Sequence, residues 1–227
     1  MTLFNRLIAW ERNLREHYNT DLSTPENRRR ANIYNLWFDH AVLRILWTNF
    51  HQIAPGVYRS NQPTHARFKK LKAMGIKTVL NLRGEGPTAH YFVEEESCRN
   101  LGLTLVNVRL DARQAAPRDG ILEVIEAFRT IEKPFVMHCK SGADRAGFAS
   151  AMYLMVIEGK PVEEAMKMLS LRYIHIKQSK TGILDFILEE YAARNAREPI
   201  GFEDWIATEY DAEEIQAKFR ATHNPIF

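Results

Sequence analysis

Residues 138–147 read HCKSGADRAG, set between the apolar run PFVM (134–137) and the long apolar segment FASAMYLMVIEG (148–159). An apolar run bounded by glycines and then by a helical apolar pattern reads as a strand, a loop and a helix start. In an open α/β sheet, ligands sit beyond the carboxyl ends of the strands, which is where this loop falls. The backbone N–H groups of Lys140, Ser141, Gly142, Ala143, Asp144 and Arg145 can curl inward there, and the following helix adds the positive end of its dipole. Such a cradle suits a tetrahedral oxyanion, and the Arg145 fork can hold two of its oxygens at once. Gly142 allows close backbone approach and Gly147 a tightly packed helix start. The same donors favour Cys139 as a thiolate, which at the floor of a phosphate cradle can attack phosphorus.

Working outward, the pattern alternates. GVYRS (56–60), KTVLNL (77–82), LTLVNV (103–108) and PFVMHC (134–139) read as strands. HARFKKLKAMG (65–75), HYFVEEESCRNLG (90–102) and GILEVIEAFRTIE (120–132) read as the helices between them, and three more follow in AGFASAMYLMVIEG, PVEEAMKMLS and TGILDFILEEYAARN. This alternation predicts an α/β fold, a central, mostly parallel sheet flanked by helices. Residues 1–52 are predicted as a helical N-terminal extension, 53–193 as the catalytic domain, and 194–227 as a helical C-terminal tail around FEDWIATEYDAEEIQAKF. In the first extension Leu3, Phe4, Leu7, Ile8 and Leu14 share one face, and Ile33, Leu36, Trp37, Val42, Leu43, Leu46 and Trp47 form a second stripe. Both stripes are expected to pack on the main domain in preference to a membrane surface. RRR at 28–30 reads as a solvated helix start.

The 227 residues carry a net charge of +3, too mild to imply nucleic acid. Two cysteines, Cys98 and Cys139, are too few for a disulfide framework and point to a reducing, cytoplasmic setting. The N-terminus has neither the cleavage site of a signal peptide nor the length of a membrane span.

His138-Cys139, five residues and Arg145 match the signature of the cysteine-dependent protein tyrosine and dual-specificity phosphatases. The likeness is greatest to the small, atypical dual-specificity members. It extends upstream, because GVYRSNQP followed by a helix and KTVLNLR resembles the opening of those domains, so about residues 53–193 are covered. Low-molecular-weight phosphatases place the loop near the chain start, and rhodanese-like sulfurtransferases lack the upstream frame. The resemblance implies a phosphate monoester hydrolase that needs neither metal nor cofactor and works through a cysteinyl-phosphate. Its substrate would be a phosphorylated protein or a small polyanionic phosphate. In these enzymes the motif histidine orients the loop, which is the role expected of His138.

A general acid must protonate the leaving oxygen. Asp111, on the loop after LTLVNV, is the preferred candidate, because Asp119 reads as a helix cap. Asp144 is the alternative, since some lipid and inositol phosphatases carry an aspartate immediately before the arginine; otherwise it braces the loop through N–H groups or a basic side chain. Ala146 departs from the Ser or Thr usual after the arginine, where a hydroxyl assists thiolate departure. That departure keeps a second reading, a phosphate-binding pseudophosphatase. Gln178 is weighed as a water-positioning amide against an exposed loop residue, and Cys98 as a resolving thiol against an inert one. Arg83, Arg109, Arg113, Arg118 and Lys140 are expected to form a basic rim that favours polyanions.

Overall fold

A computed structural model of the chain describes residues 3–39 and 41–226, without the side chains of residues 3–8, 11, 15, 43 and 45. Five strands form one sheet: β1 (His51–Ala54), β2 (Val57–Asn61), β3 (Thr78–Asn81), β4 (Thr104–Asn107) and β5 (Phe135–Cys139), in the order β1-β2-β5-β3-β4. The β2, β5, β3 and β4 neighbours are parallel, as the alternation predicts, and β1 adds an antiparallel edge. The strand β1 is absent from the sequence reading because HQIA is short and lacks a clear period; the turn at Gly56, with φ of 74°, folds it onto β2.

Strand periodicity divides the core. Val57, Leu80, Phe135 and Met137 face a large cluster made with α6 (Arg118–Thr130), α7 (Asp144–Val156) and α9 (Ile183–Arg197). Val79 and Val136 face a smaller one, with Phe68 and Leu71 of α4 (His65–Ala73) and Cys98 of α5 (Ala89–Leu101). Consecutive side chains of β5 therefore point into different layers: Cys139 goes with the large core and His138 with the α5 side.

PVEEAMKMLS forms only a short helix, α8 (Val162–Ala165), before tightening at Met166–Met168. The acidic tail is two helices, α10 (Phe202–Thr208) and α11 (Ala212–Thr222), because Asp211 caps the second by accepting from the N–H groups of Glu213 and Glu214, both at 2.9 Å. Phe202, Trp205, Ile206, Tyr210, Ile215 and Phe219 all enter the large core. Asp119 is not the cap of α6: Pro117 precedes the helix, and Asp119 lies in its first turn, where the dipole favours a negative charge.

The N-terminal segment comprises α1 (Leu3–Tyr18), α2 (Pro25–Ile33), a wide turn at Tyr34–Phe38 and α3 (Ala41–Leu46). The second apolar stripe does not pack as expected. Leu36, Trp37, Val42 and Leu46 are exposed, Leu46 at 92%, while the side chains of Leu3, Phe4, Leu7, Ile8 and Leu43 lie outside the described residues. Arg28 is not simply solvated: it forms a two-pronged pair with Glu96 of α5, both bonds 2.8 Å. Among the described residues no helix is long and apolar enough to cross a membrane.

Trp205 packs against Tyr191, Phe202 and Tyr210, with ring centroids 5.4–6.1 Å apart. Trp205→Ala is expected to lower the unfolding free energy by about 3–5 kcal/mol, read as a fall of the thermal midpoint on the order of 10 °C. A change below about 0.5 kcal/mol is what a loosely attached tail would give.

Candidate active site

The site begins where β5 ends between β2 and β3, with Cys139 paired in register with Asn61. The loop then turns through Gly142, whose φ is 73°. A Cβ at Gly142 would lie 2.6 Å from the Asn61 nitrogen and 2.7 Å from the Ser60 carbonyl, so only glycine fits against the end of β2. At Gly147 a Cβ would meet Leu169 Cδ2 and the Met168 carbonyl oxygen, both at 2.8 Å, which sets how closely α7 starts against the Met166–Met168 turn.

All four carbonyls of the loop are taken up on its outer side. The Gly142 and Ala143 oxygens accept from Arg59 Nη2 at 2.6 and 3.0 Å. The Lys140 oxygen accepts from Arg44 Nη1 at 3.3 Å and from the Gln62 N–H at 3.4 Å, and the Ser141 oxygen from Asn49 Nδ2 at 3.3 Å. By contrast, the N–H groups of Ser141 and Gly142 find no acceptor among the described residues, and the first N–H groups of α7 are orphans by helix geometry. The loop thus presents donors on one side and buries its acceptors on the other, as an anion cradle requires.

Arg59, on β2, is fully buried. Besides the loop carbonyls its guanidinium reaches the Met168 oxygen at 2.8 Å and stacks 3.9 Å over the Tyr173 ring. Burial draws it down to about 10, against the opposing influence of Tyr173, Cys139 and Asp144, so it remains a cation at neutral pH. Sequence reading passed over Arg59, although it sits inside the GVYRS strand; a charged residue in an otherwise apolar strand was the available signal. Arg44 and Asn49 carried no such signal, because only the fold brings them to the loop.

In front of the loop lies a cavity of about 950 Å³, lined in part by Asp111, Arg113, Lys140, Ser141, Asp144 and Arg145. Cys139 is 1% exposed, at the base of the loop. Arg145 makes no hydrogen bond or ion pair among the described residues, and its Nε is buried without a partner. Arg109 and Arg113 are likewise unpaired and line the same cavity. The other expected rim cations are engaged. Arg83 grips Asp39 with two bonds of 2.9 Å, and Asp39 also takes Arg44 at 2.8 Å and Lys140 at 3.5 Å. Burial alone would raise the Asp39 carboxyl, yet Arg83 and Arg44 hold it well below the usual carboxylate range. His90, on the cavity wall, is pushed down to about 3 by burial and by Arg83, and stays neutral. Arg118 is no part of the rim: it donates to the Tyr210 carbonyl, from Nε at 3.2 Å.

His138 is fully buried and bonds through Nε2 to Glu94, whose other oxygen accepts from Gln62 at 2.7 Å; Gln62 in turn accepts from Arg83. The motif histidine is thereby tied through α5 to the Asp39 cluster. Asp144 bonds to His175 Nδ1 at 2.8 Å, and His175 Nε2 bonds to Asp185 of α9 at 2.6 Å. Burial opposes a charge on His175, but the two carboxylates overcome it and raise the imidazole to about 9. The loop carrying Asp111 is fastened to the tail: the Ala115 N–H donates to Gln216 Oε1 at 2.9 Å, and the Tyr210 hydroxyl to the Ala116 oxygen at 2.8 Å.

The remaining candidates separate from the site. Gln178 is exposed and does not line the cavity; its carbonyl accepts from the Ile226 N–H at 2.9 Å, while Thr181 lies on the cavity wall. Cys98 packs in the smaller core, on the other face of the sheet from Cys139, and burial pushes its thiol far up, which makes it inert. Ala146 is fully buried in the large core.

This is the site of a phosphatase fold. A family model described as the DSP-PTPase phosphatase domain of Swiss Army Knife proteins matches residues 48–180, and the chain belongs to that family. Dual specificity protein phosphatase TpbA of Pseudomonas aeruginosa is 29% identical over 124 residues, 52% of this chain and 52% of that protein. Inositol diphosphatase DSP3 of Arabidopsis thaliana is 25% identical over 103 residues, 44% of this chain and 50% of that protein. The chain thus spans about half the length of the curated relatives it matches. The crystal structure of P. aeruginosa TpbA superposes with a TM-score of 0.52 at 17% identity, over 76% of this chain and 91% of that one, a likeness of fold.

The folded value of His175 lies above the ordinary 6.5, so its bonds to Asp144 and Asp185 contribute fully below about pH 6.5 and are lost as pH rises through about 9. The thermal midpoint should therefore fall across that window, on the order of 5 °C, and His175→Asn should remove this pH-dependent component. An unchanged pH profile in the variant would contradict the assignment.

Proposed function

We propose that the chain hydrolyses phosphate monoesters through a cysteinyl-phosphate on Cys139, with residues 140–145 binding the phosphate and Asp111 as general acid. The observation that carries this reading is Arg145, unpartnered among the described residues, on the same cavity as a loop whose carbonyls are all taken up. A cationic fork without a partner among the described residues, with free amides at the end of the same cavity, is suited to hold an anion.

In this mechanism the phosphate binds to the amides of the loop and to Arg145, and the Cys139 thiolate attacks phosphorus in line. The P–O bond to the leaving group breaks as the S–P bond forms, and Asp111 gives its proton to the departing oxygen. Water then attacks the thiophosphate ester, the S–P bond breaks, and the thiolate is regenerated with Asp111 taking the water's proton. Asp111 is preferred to Asp144 as the acid because the Asp144 carboxylate is hydrogen-bonded to His175. The charge that builds on the phosphoryl oxygens is met by the loop amides and Arg145, so the scheme needs no metal.

Residues 53–193 form the catalytic domain in this reading. The segment before it supplies Arg44 and Asn49 to the loop, and the tail steadies the acid loop. Arg109 and Arg113, unpaired among the described residues and on the same cavity as Arg145, favour substrates with additional negative charge, such as an acidic phosphopeptide or a polyphosphorylated small molecule. The names of the relatives, a protein phosphatase and an inositol diphosphatase, are compatible with either.

Cys139→Ser should abolish release of phosphate from an aryl phosphate while keeping oxyanion binding, and acid-quenched wild type should carry a phosphate adduct on Cys139 by mass spectrometry. Asp111→Asn should slow an alkyl phosphate about a hundredfold or more and an activated aryl phosphate far less. Activity retained by the serine variant would sink the mechanism, and the leaving-group pattern appearing in Asp144→Asn instead would move the acid.

A further inference from the structure

Among the described residues two that are not glycine have positive φ: Asn49 and Ile174. Asparagine tolerates that conformation, but a β-branched residue does so only under strain. Ile174, at φ 58° and ψ 30°, ends the short turn Leu171–Tyr173, a place that glycine usually fills. Its neighbours fix the backbone there. Tyr173 is held beneath Arg59, and His175 is clamped between Asp144 and Asp185. The strained side chain does not offset its cost by packing in the core, because it is 53% exposed.

Where strain persists without a packing reason, the side chain is a candidate for contact with a ligand. Ile174, Ile176 and Lys180 line a groove of about 180 Å³ that shares Arg113, Asp144 and Thr181 with the main cavity. The groove therefore continues from the phosphate cradle, with two isoleucines on its wall and two cations, Arg113 and Lys180, beside them.

We propose that this groove is a subsite for the polypeptide around a phosphorylated residue, and that an apolar side chain next to that residue packs on Ile174 and Ile176. The inference rests on the phosphatase reading above and specifies its substrate. A free polyphosphorylated headgroup has no apolar group to place on two isoleucines, whereas a peptide presents both an apolar side chain and the acidic or carbonyl groups that Arg113 and Lys180 can meet. Ile174 is here a specificity residue that takes no part in the chemistry.

The test uses the full chain and its Ile174→Gly and Ile174→Asn variants, with phosphotyrosine peptides that differ only in having Leu or Ser beside the phosphorylated residue. Wild type should prefer the leucine peptides by about tenfold in kcat/KM, and both variants should shrink that preference to within about twofold. Turnover of a small aryl phosphate should stay unchanged, and the thermal midpoint should hold or rise, because both replacements accept positive φ. A purely structural Ile174 could not lose discrimination while stability is kept. No preference in wild type, or the same preference in the variants, overturns the proposal. Loss confined to phosphoinositide vesicles also overturns it, in favour of a membrane partner. If wild type turns over no aryl phosphate the phosphatase reading fails, and the affinity of the same peptides for Cys139→Ser, with and without Ile174→Gly, still decides the groove.

Discussion

The contact between Arg59 and the carbonyls of Gly142 and Ala143 governs the rest of the site. An anion cradle made of backbone must aim its N–H groups at one point, which turns its carbonyls into the protein, where an unmet acceptor is costly. Arg59 meets two of them and adds a positive charge behind the loop. Arg44 and Asn49 meet the other two. The sheet and the N-terminal segment are therefore both part of the cradle, and Gly142 must be glycine because the loop lies directly on the backbone of β2.

Charge is divided by the same logic. Three cations around the site are matched by carboxylates, Arg83 and Arg44 by Asp39 and His175 by Asp144 and Asp185, whereas Arg59 is met by carbonyls and the Tyr173 ring. Cations lining the cavity, Arg145, Arg109 and Arg113, are left unpaired among the described residues. Removing one partner of the Asp39 cluster would strand a buried charge, which costs more than the pair itself contributes. The network running from His138 through Glu94, Gln62 and Arg83 to Asp39 couples the end of β5 to the segment that supplies Arg44. The loop and its N-terminal support are thus held by one connected set of polar groups.

What was legible in the sequence followed from local pattern. Alternating strands and helices gave the parallel sheet, and HCKSGADRAG placed the loop at its carboxyl end, because both are written in consecutive residues. Contacts between distant segments were not legible. Asp144 is tied to His175, and the loop to Asn49 and Arg44, across separations that no periodicity records. Arg118 read as a rim cation until the tail folded its Tyr210 carbonyl onto it. The apolar stripe through Trp37 and Leu46 read as a buried face, but the wide turn at Tyr34–Phe38 changes the helical phase and leaves those side chains outside.

The most direct test of this account is the affinity of an oxyanion such as tungstate for Cys139→Ser, compared with the same protein carrying Arg59→Lys. Lysine keeps the buried charge but lacks the fork that spans the loop carbonyls. If Arg59 holds the amides in place, the double variant should fold cooperatively yet bind tungstate about tenfold or more weakly. Equal affinity in the two proteins would show that the cradle forms without that fork, and would contradict the account.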